Sequence, residues 1–383
     1  MHKYFLFLSL LLLGFNIQAD SQKSTICLNM IVKNESEAIQ ACLDSTKNLI
    51  DYWVIFDTGS TDGTQSIIRE CLKDIPGELH ESPWVNFAHN RNEALKKATG
   101  KADYILFIDA DEVLDYSDSF SLPPLNKDSY DFIIRQENAV DFRRIALIKS
   151  GLDWWWEGVL HETILSTQAT SRVILDGVTN LCNTLKGARS KDPLKSLKDA
   201  LVLEEALKNE PQNSRYVYYL AQSYFAAGIY ELALKNYEKR CLMESADMHE
   251  TYMAMYNVGR VYTKMENYEN AIEAYFKAYK FYPNRAEPLS QIATIYRKQG
   301  NLLLGYLLSK HALTIPYPEK DHCVEYMTYD YGLLIEFSNC ALLLGRLEEG
   351  LQACNQLLLN PRLPDEIRTQ VIANHDFAQK HVK

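Results

Sequence analysis

The chain has 383 residues, 47% hydrophobic and 23% charged, the proportions of an ordinary globular protein long enough for two domains. A formal net charge of −10 with no long Lys/Arg run argues against a general binder of nucleic acid or anionic membrane, since either surface would repel it. The eight cysteines show no CxxC or tight Cys/His spacing, which speaks against zinc and for small buried hydrophobes.

Residues 1–19 open with Lys3, run apolar from Tyr4 to Phe15 and reach a small residue at Ala19, the pattern of a signal peptide or hydrophobic leader. The apolar part, about a dozen residues, is short against the roughly 20 of a membrane span. This predicts a place in the secretory pathway or at a membrane, with the cytoplasmic face as the alternative.

ICLNMIV (Ile26 to Val32) then reads as a strand, with Asn34 as a cap for a helix in which Ile39, Cys42 and Leu43 share a face. YWVIFD (Tyr52 to Asp57) is a second strand, followed by the polar turn TGSTDGT and a helix carrying Ile67, Ile68, Cys71 and Leu72. Another helix spans about Ala88 to Thr99, and Tyr104 to Ile108 is a strand running into Asp109, Asp111 and Glu112. Strand, helix, strand, helix, helix, strand predicts an α/β domain, a mostly parallel sheet with helices on both faces, over about 25–185. DFIIRQENA, RIALIK and RVILDGV are further strands, with the aromatic WWWEGVLHE (Trp154 to Glu162) among them.

In such sheets ligands bind beyond the carboxyl ends of the strands. The polar clusters fall there: Lys33 to Glu35, Asp57 to Asp62, and Asp109 to Glu112. Three carboxylates at the mouth of a core repel one another unless a cation, a donor cluster or water compensates. Asp62 alone reads equally well as a helix cap.

From about 193 to 380 the rhythm is all-helical and repeats. Tyr224, Tyr230, Ala233 and Tyr237 recur as Tyr262, Tyr268, Ala271 and Tyr275, each 38 positions later. Tyr262, Ala271 and Ala278 recur as Tyr296, Gly305 and Ala312, each 34 positions later. A further unit shows at Leu342 to Cys354, and Leu197 to Pro211 looks like the second helix of a leading one. These units resemble tetratricopeptide repeats, whose stacked helix pairs present a surface for a protein partner, or simply cover and stabilise a neighbouring domain.

NMIVKNE, FDTGSTDGT, HNRN and FIDADE, in this order on a βα pattern and followed by His161-Glu162, resemble the catalytic domain of family 2 glycosyltransferases. The likeness is closest over Thr25 to Gly100 and weakens after Glu112. It implies a GT-A-type fold, a nucleotide-diphosphate sugar of UDP or GDP type, and Mn²⁺ or Mg²⁺ held by carboxylates at a DxD motif. The resemblance places Asn34, Glu35 and Asp57 at base and ribose, Arg91 at the pyrophosphate or the metal carboxylate, Asp109 at ribose or metal, Asp111 at the metal, and His161 at the metal or a phosphate. Glu162 is the candidate general base, with Glu112 and Glu157 as alternatives. One or more of Trp154, Trp155 and Trp156 can stack on a sugar, although three in succession cannot all face one way. The expected activity is metal-dependent hexosyl transfer, inverting, to a protein, peptide or glycan, with acceptor or partner bound on the repeats and no nucleic acid. The competing readings are a repeat-based protein-binding module with a degenerate transferase domain, and a metal-dependent phosphatase or nucleotidyltransferase.

Overall fold

The computed structural model describes residues 23–136, 141–182, 187–244, 247–319, 321 and 323–382. The leader read at 1–19 lies outside them. The first domain is built on an eight-stranded sheet. Its strands are β1 (Ile26–Val32), β2 (Tyr52–Asp57), β3 (Gly77–Glu81), β4 (Tyr104–Phe107), β5 (Glu112–Asp115), β6 (Ser129–Gln136), β7 (Asp141–Lys149) and β10 (Arg172–Cys182). They lie in the order β3-β2-β1-β4-β7-β6-β10-β5. The β3·β2, β2·β1, β1·β4 and β6·β10 pairs are parallel; β4·β7, β7·β6 and β10·β5 are antiparallel. A small antiparallel pair, β8 (Trp155–Glu157) and β9 (Thr163–Leu165), stands apart.

The central strand β1 is apolar on both faces because helices cover both. Ile26, Leu28, Met30 and Val32 pack with Ile39, Cys42 and Leu43 of α1 (Ile39–Thr46) and Ile68 of α2 (Thr64–Cys71). Cys27 points the other way, into a cluster with Ala94, Leu95 and Ala98 of α3 (Phe87–Ala98). This is the architecture the sequence predicts, with two strands more in the sheet, β3 and β5, and with the separate β8–β9 pair. GELHE lacks the apolar alternation that signals a strand, because β3 is a half-exposed edge, yet it pairs with β2 from Trp53 to Asp57. Gly77 is needed there, since a Cβ would meet the Trp53 ring at 2.2–2.4 Å.

Asn34 does not cap α1. It sits in the left-handed region (φ 57°), which Asn tolerates, and its Oδ1 accepts from Thr61 N at 2.8 Å, tying the loop after β1 to the loop after β2. The helix starts later, from Ala38, with no side-chain cap.

Beyond Lys195 the described chain is helical: α4 (Lys195–Asn209), α5 (Ser214–Ala226), α6 (Tyr230–Leu242), α7 (Met248–Lys264), α8 (Tyr268–Phe281), α9 (Glu287–Lys298), α10 (Leu302–Ala312), α11 (Leu333–Leu343), α12 (Leu347–Leu358) and α13 (Asp365–His381). Consecutive helices pack in pairs, and the recurring small residues sit where they cross: Ala233, Ala271 and Ala312 are fully buried. The domains meet along two seams. Leu160, from the first domain, belongs to the repeat core with Tyr216, Tyr218 and Leu220. Elsewhere Asp141 exchanges backbone hydrogen bonds with Val324, 3.0 and 2.9 Å.

Candidate active site

The strand ends converge as the topology requires. After β4, Asp109 accepts from Arg91 Nη2 at Oδ1 (2.7 Å) and from Arg144 Nη1 at Oδ2 (3.0 Å). Burial alone would raise its pKa, but the two guanidiniums hold the carboxyl well below the usual range. Arg91 also donates Nε to Glu162 Oε1 at 2.5 Å, and its guanidinium carbon lies 5.0 Å from the Trp156 ring centroid. One arginine on α3 thus joins the β4 carboxylate to the carboxylate that follows β8.

Glu112 does other work. It is 2% exposed, and its Oε2 accepts from Asp109 N (3.0 Å), Arg144 Nη2 (2.5 Å) and Asn180 Nδ2 (2.8 Å). A sealed carboxylate so occupied orients the Asp109 turn and Arg144 and cannot receive a proton from an incoming acceptor. Glu157, the other alternative base, is exposed, accepts from Trp155 Nε1 at 3.3 Å and lies outside the cavity described below. Of the three tryptophans, Trp156 is core, packed edge-on to Phe107 at 5.0 Å; Trp154 and Trp155 are half-buried.

Asp111 has no cationic side chain bonded to it among the described residues. Burial first, then the charges of Asp109 and Glu112, push its carboxyl up to about 6. Glu35 is pushed up to about 7, by burial first and by Asp111, Asp109 and Asp62, against the opposing hydrogen bond from Ala188 N. An acidic pocket short of positive charge fits a divalent cation, which takes one or two protein carboxylates and completes its shell from substrate phosphates. Asp111 suits that role; both oxygens of Asp109 are already on arginines. The described residues bring no three of His, Cys, Asp and Glu into a metal-holding group.

His161 is not beside these carboxylates but against the repeats. Its ring stacks on Tyr219, centroids 3.9 Å apart and planes 9° from parallel. Desolvation first, then the charges of Lys195, Arg215 and Arg189, push its pKa down to about 3, so it stands neutral; its exposure to solvent screens part of that effect. Such surroundings suit an anion better than a cation.

At the end of β2, Asp57 is fully buried: Oδ1 accepts from Gly59 N (2.8 Å) and Ser60 N (2.7 Å), while Oδ2 has no partner among the described residues. Asp62 ties its own turn, accepting from Thr64 and Ser36, as a structural residue would. In HNRN, Asn90 holds the loop before α3 through Val85 N and Pro83 O, and Asn92 exchanges 2.8 Å hydrogen bonds with the Trp156 backbone.

A cavity of about 590 Å³ opens between the domains. Arg91, Asp109, His161 and Glu162 line it, with Arg144, Arg189 and Arg215 adding charge, and Tyr218 and Tyr219 forming the repeat side. Asn34, Glu35, Asp57 and Asp111 lie outside its walls. Sequence reasoning missed Arg144, Arg189 and Arg215. Arg144 had a signal: FRR interrupts an otherwise apolar strand. Arg189 and Arg215 had none, because their place depends on how the domains dock.

Residues 27–189 match the family described as Glycosyl transferase family 2, and residues 198–247 one described as Tetratricopeptide repeat. The chain joins a family 2 glycosyltransferase domain to tetratricopeptide repeats. A TPR repeat-containing protein of Synechococcus elongatus is 40% identical over 90 residues, 23% of this chain and 21% of that protein. The SPbeta prophage-derived glycosyltransferase SunS of Bacillus subtilis is 37% identical over 94 residues, 24% of this chain and 21% of its own. An uncharacterized glycosyltransferase of Rickettsia felis is 32% identical over 85 residues, 22% of this chain and 28% of its own. The matched stretches thus span from about a fifth to just over a quarter of these relatives. Within the glycosyltransferase domain, Arg91, Asp109 and Glu162 form the hydrogen-bonded ladder, and the repeats supply the facing wall of the cavity.

Proposed function

We propose that the protein transfers a sugar from a nucleotide-diphosphate sugar of UDP or GDP type to a hydroxyl of a protein, peptide or glycan, with a divalent cation and inversion at the anomeric carbon. The observation that carries this reading is the Asp109–Arg91–Glu162 ladder at the mouth of an arginine-lined cavity large enough for a small organic ligand. The unpartnered Asp57 Oδ2 supports it, as an acceptor for a base N–H at a strand end. Asn34 and Glu35, on the loop bonded to that turn, would border base and ribose.

Asp111 would hold Mn²⁺ or Mg²⁺, joined by Asp109 only where a cation displaces one of its two arginines, and the ion would neutralise charge on the departing diphosphate. The arginines would bind phosphate oxygens through their forks, and neutral His161 would donate a hydrogen bond to one of them. Glu162 Oε1 is fixed by Arg91, while Oε2 has no partner among the described residues and is the atom to receive the acceptor's proton. The acceptor oxygen bonds to the anomeric carbon as the bond to phosphate breaks, and the nucleoside diphosphate leaves with the electron pair. Acceptor or partner would engage the repeats.

On the hydrophobic leader at 1–19 we place the enzyme in the secretory pathway or at a membrane, with the cytoplasmic face as the alternative. Release of nucleoside diphosphate from a panel of UDP- and GDP-sugars, with and without Mn²⁺, tests the function. No release, together with no thermal shift by UDP or GDP plus Mn²⁺, would leave the non-catalytic binding module standing instead; free phosphate or transferred nucleotide would indicate the hydrolytic or nucleotidyl chemistry.

A further inference from the structure

The turn that carries His161 and Glu162 is held by the other domain. Gly158 (φ 112°) and His161 (φ 51°) both adopt left-handed backbone, and a Cβ on Gly158 would stand 3.3 Å from the Glu162 Cα. A residue with a side chain keeps such a conformation when its surroundings over-determine it. Here the surroundings come from α5. Val159 N–H donates to the Tyr216 hydroxyl at 3.2 Å, and Leu160, 4% exposed, is packed in the repeat core. The His161 carbonyl accepts from Arg215 Nη2 (2.8 Å) and Nε (3.3 Å), and its ring lies flat on Tyr219. The Arg215 guanidinium carbon is 4.9 Å from the same Tyr219 ring, so the two side chains form one clasp.

The next residue is Glu162, joined through Arg91 to Asp109. We propose that Arg215 and Tyr219 are positioning residues: the first full repeat sets the place of Glu162 and through it the Arg91–Asp109 pair, so the repeats are part of the active site as well as a docking surface. The consequence for turnover rests on the glycosyltransferase reading above; the clasp itself does not.

Both parts are tested in the full chain with Arg215→Met, Tyr219→Ala and Tyr219→Phe. Hydrogen exchange at the amides of 159–163 should quicken by on the order of tenfold in Arg215→Met and Tyr219→Ala, with β1 and β2 unchanged. In nucleoside diphosphate release, kcat should fall on the order of tenfold to a hundredfold, a larger factor than any rise in the donor KM. Tyr219→Phe, which keeps the stacking ring, should restore both. Unchanged exchange in this turn, protection lost throughout the repeats, unchanged kcat despite faster exchange, or a Tyr219→Phe variant no better than Tyr219→Ala would each overturn the proposal. If Tyr219→Ala fails to fold, Arg215→Met carries the test, because that side chain is 39% exposed. A wild-type chain that turns over no donor would sink the glycosyltransferase reading, and exchange would still decide the clasp.

Discussion

Three carboxylates follow β4 within four residues, and each meets a different compensation. Glu112 is sealed against Arg144 and Asn180, Asp109 lies between two guanidiniums, and Asp111 is left to a cation or to solvent. Arg91 is the hinge of this set, its side chain only 10% exposed. Removing it strands Glu162 and half of Asp109's compensation, and breaking a buried pair from one side is costly. Arg91→Met is therefore expected to lose about 3 kcal/mol in urea unfolding, and Arg91→Met with Glu162→Gln to recover part of that stability without activity. Glu35 offers a pH test. Its folded-state pKa rises from 4.5 to about 7, so between those values the folded state binds more protons than the unfolded state. The unfolding free energy then falls as pH rises through that window. Glu35→Gln should match wild type near the lower end and exceed it, by on the order of 1–2 kcal/mol after solvent screening, in urea unfolding at about pH 8.

At the scale of elements, periodicity was informative where burial is one-sided or complete and silent where it is neither. The buried strands β1, β2 and β4 and the repeat helices announce themselves by apolar spacing; edge strand β3, with Leu79 its one large apolar side chain, does not. The apolar runs before Asp57 and Asp109 marked them as strand-end residues, whereas Arg91 and Glu162 were singled out by the resemblance of HNRN and His161-Glu162 to family motifs, and their roles stand as proposals. Asn34 was misread as a cap because its true partner, the Thr61 amide, belongs to another loop. The repeats' small residues carry a similar local signal and an energetic consequence. A Cβ on Gly259 of α7 would come within 2.5–2.9 Å of the Tyr275 ring, which is 1% exposed and hydrogen-bonded to Thr263. Helix propensity favours Ala over Gly by about 1 kcal/mol, but overpacking a buried ring costs about 1–3 kcal/mol. Gly259→Ala should accordingly lower stability by about 1 kcal/mol in urea unfolding; a gain would show that α7 and α8 can part at no cost.

Across the whole molecule the two domains share core as well as surface. Leu160 is lodged among repeat tyrosines, Asp141 and Val324 pair backbone to backbone, and Arg143 donates to the Glu319 carbonyl. Parting them would expose Leu160 and leave the buried groups at both seams without partners, so neither domain should open far below the other. The sequence supplies separate reporters: all five tryptophans, at 53, 84, 154, 155 and 156, lie in the first domain, while most described helix lies in the repeats. Tryptophan fluorescence therefore follows one domain, and far-ultraviolet circular dichroism mainly the other. If the seams couple them, the two urea transitions should superimpose. Midpoints separated by about 0.5 M or more would mean that the domains unfold independently and that the contacts around Leu160 and Val324 contribute little.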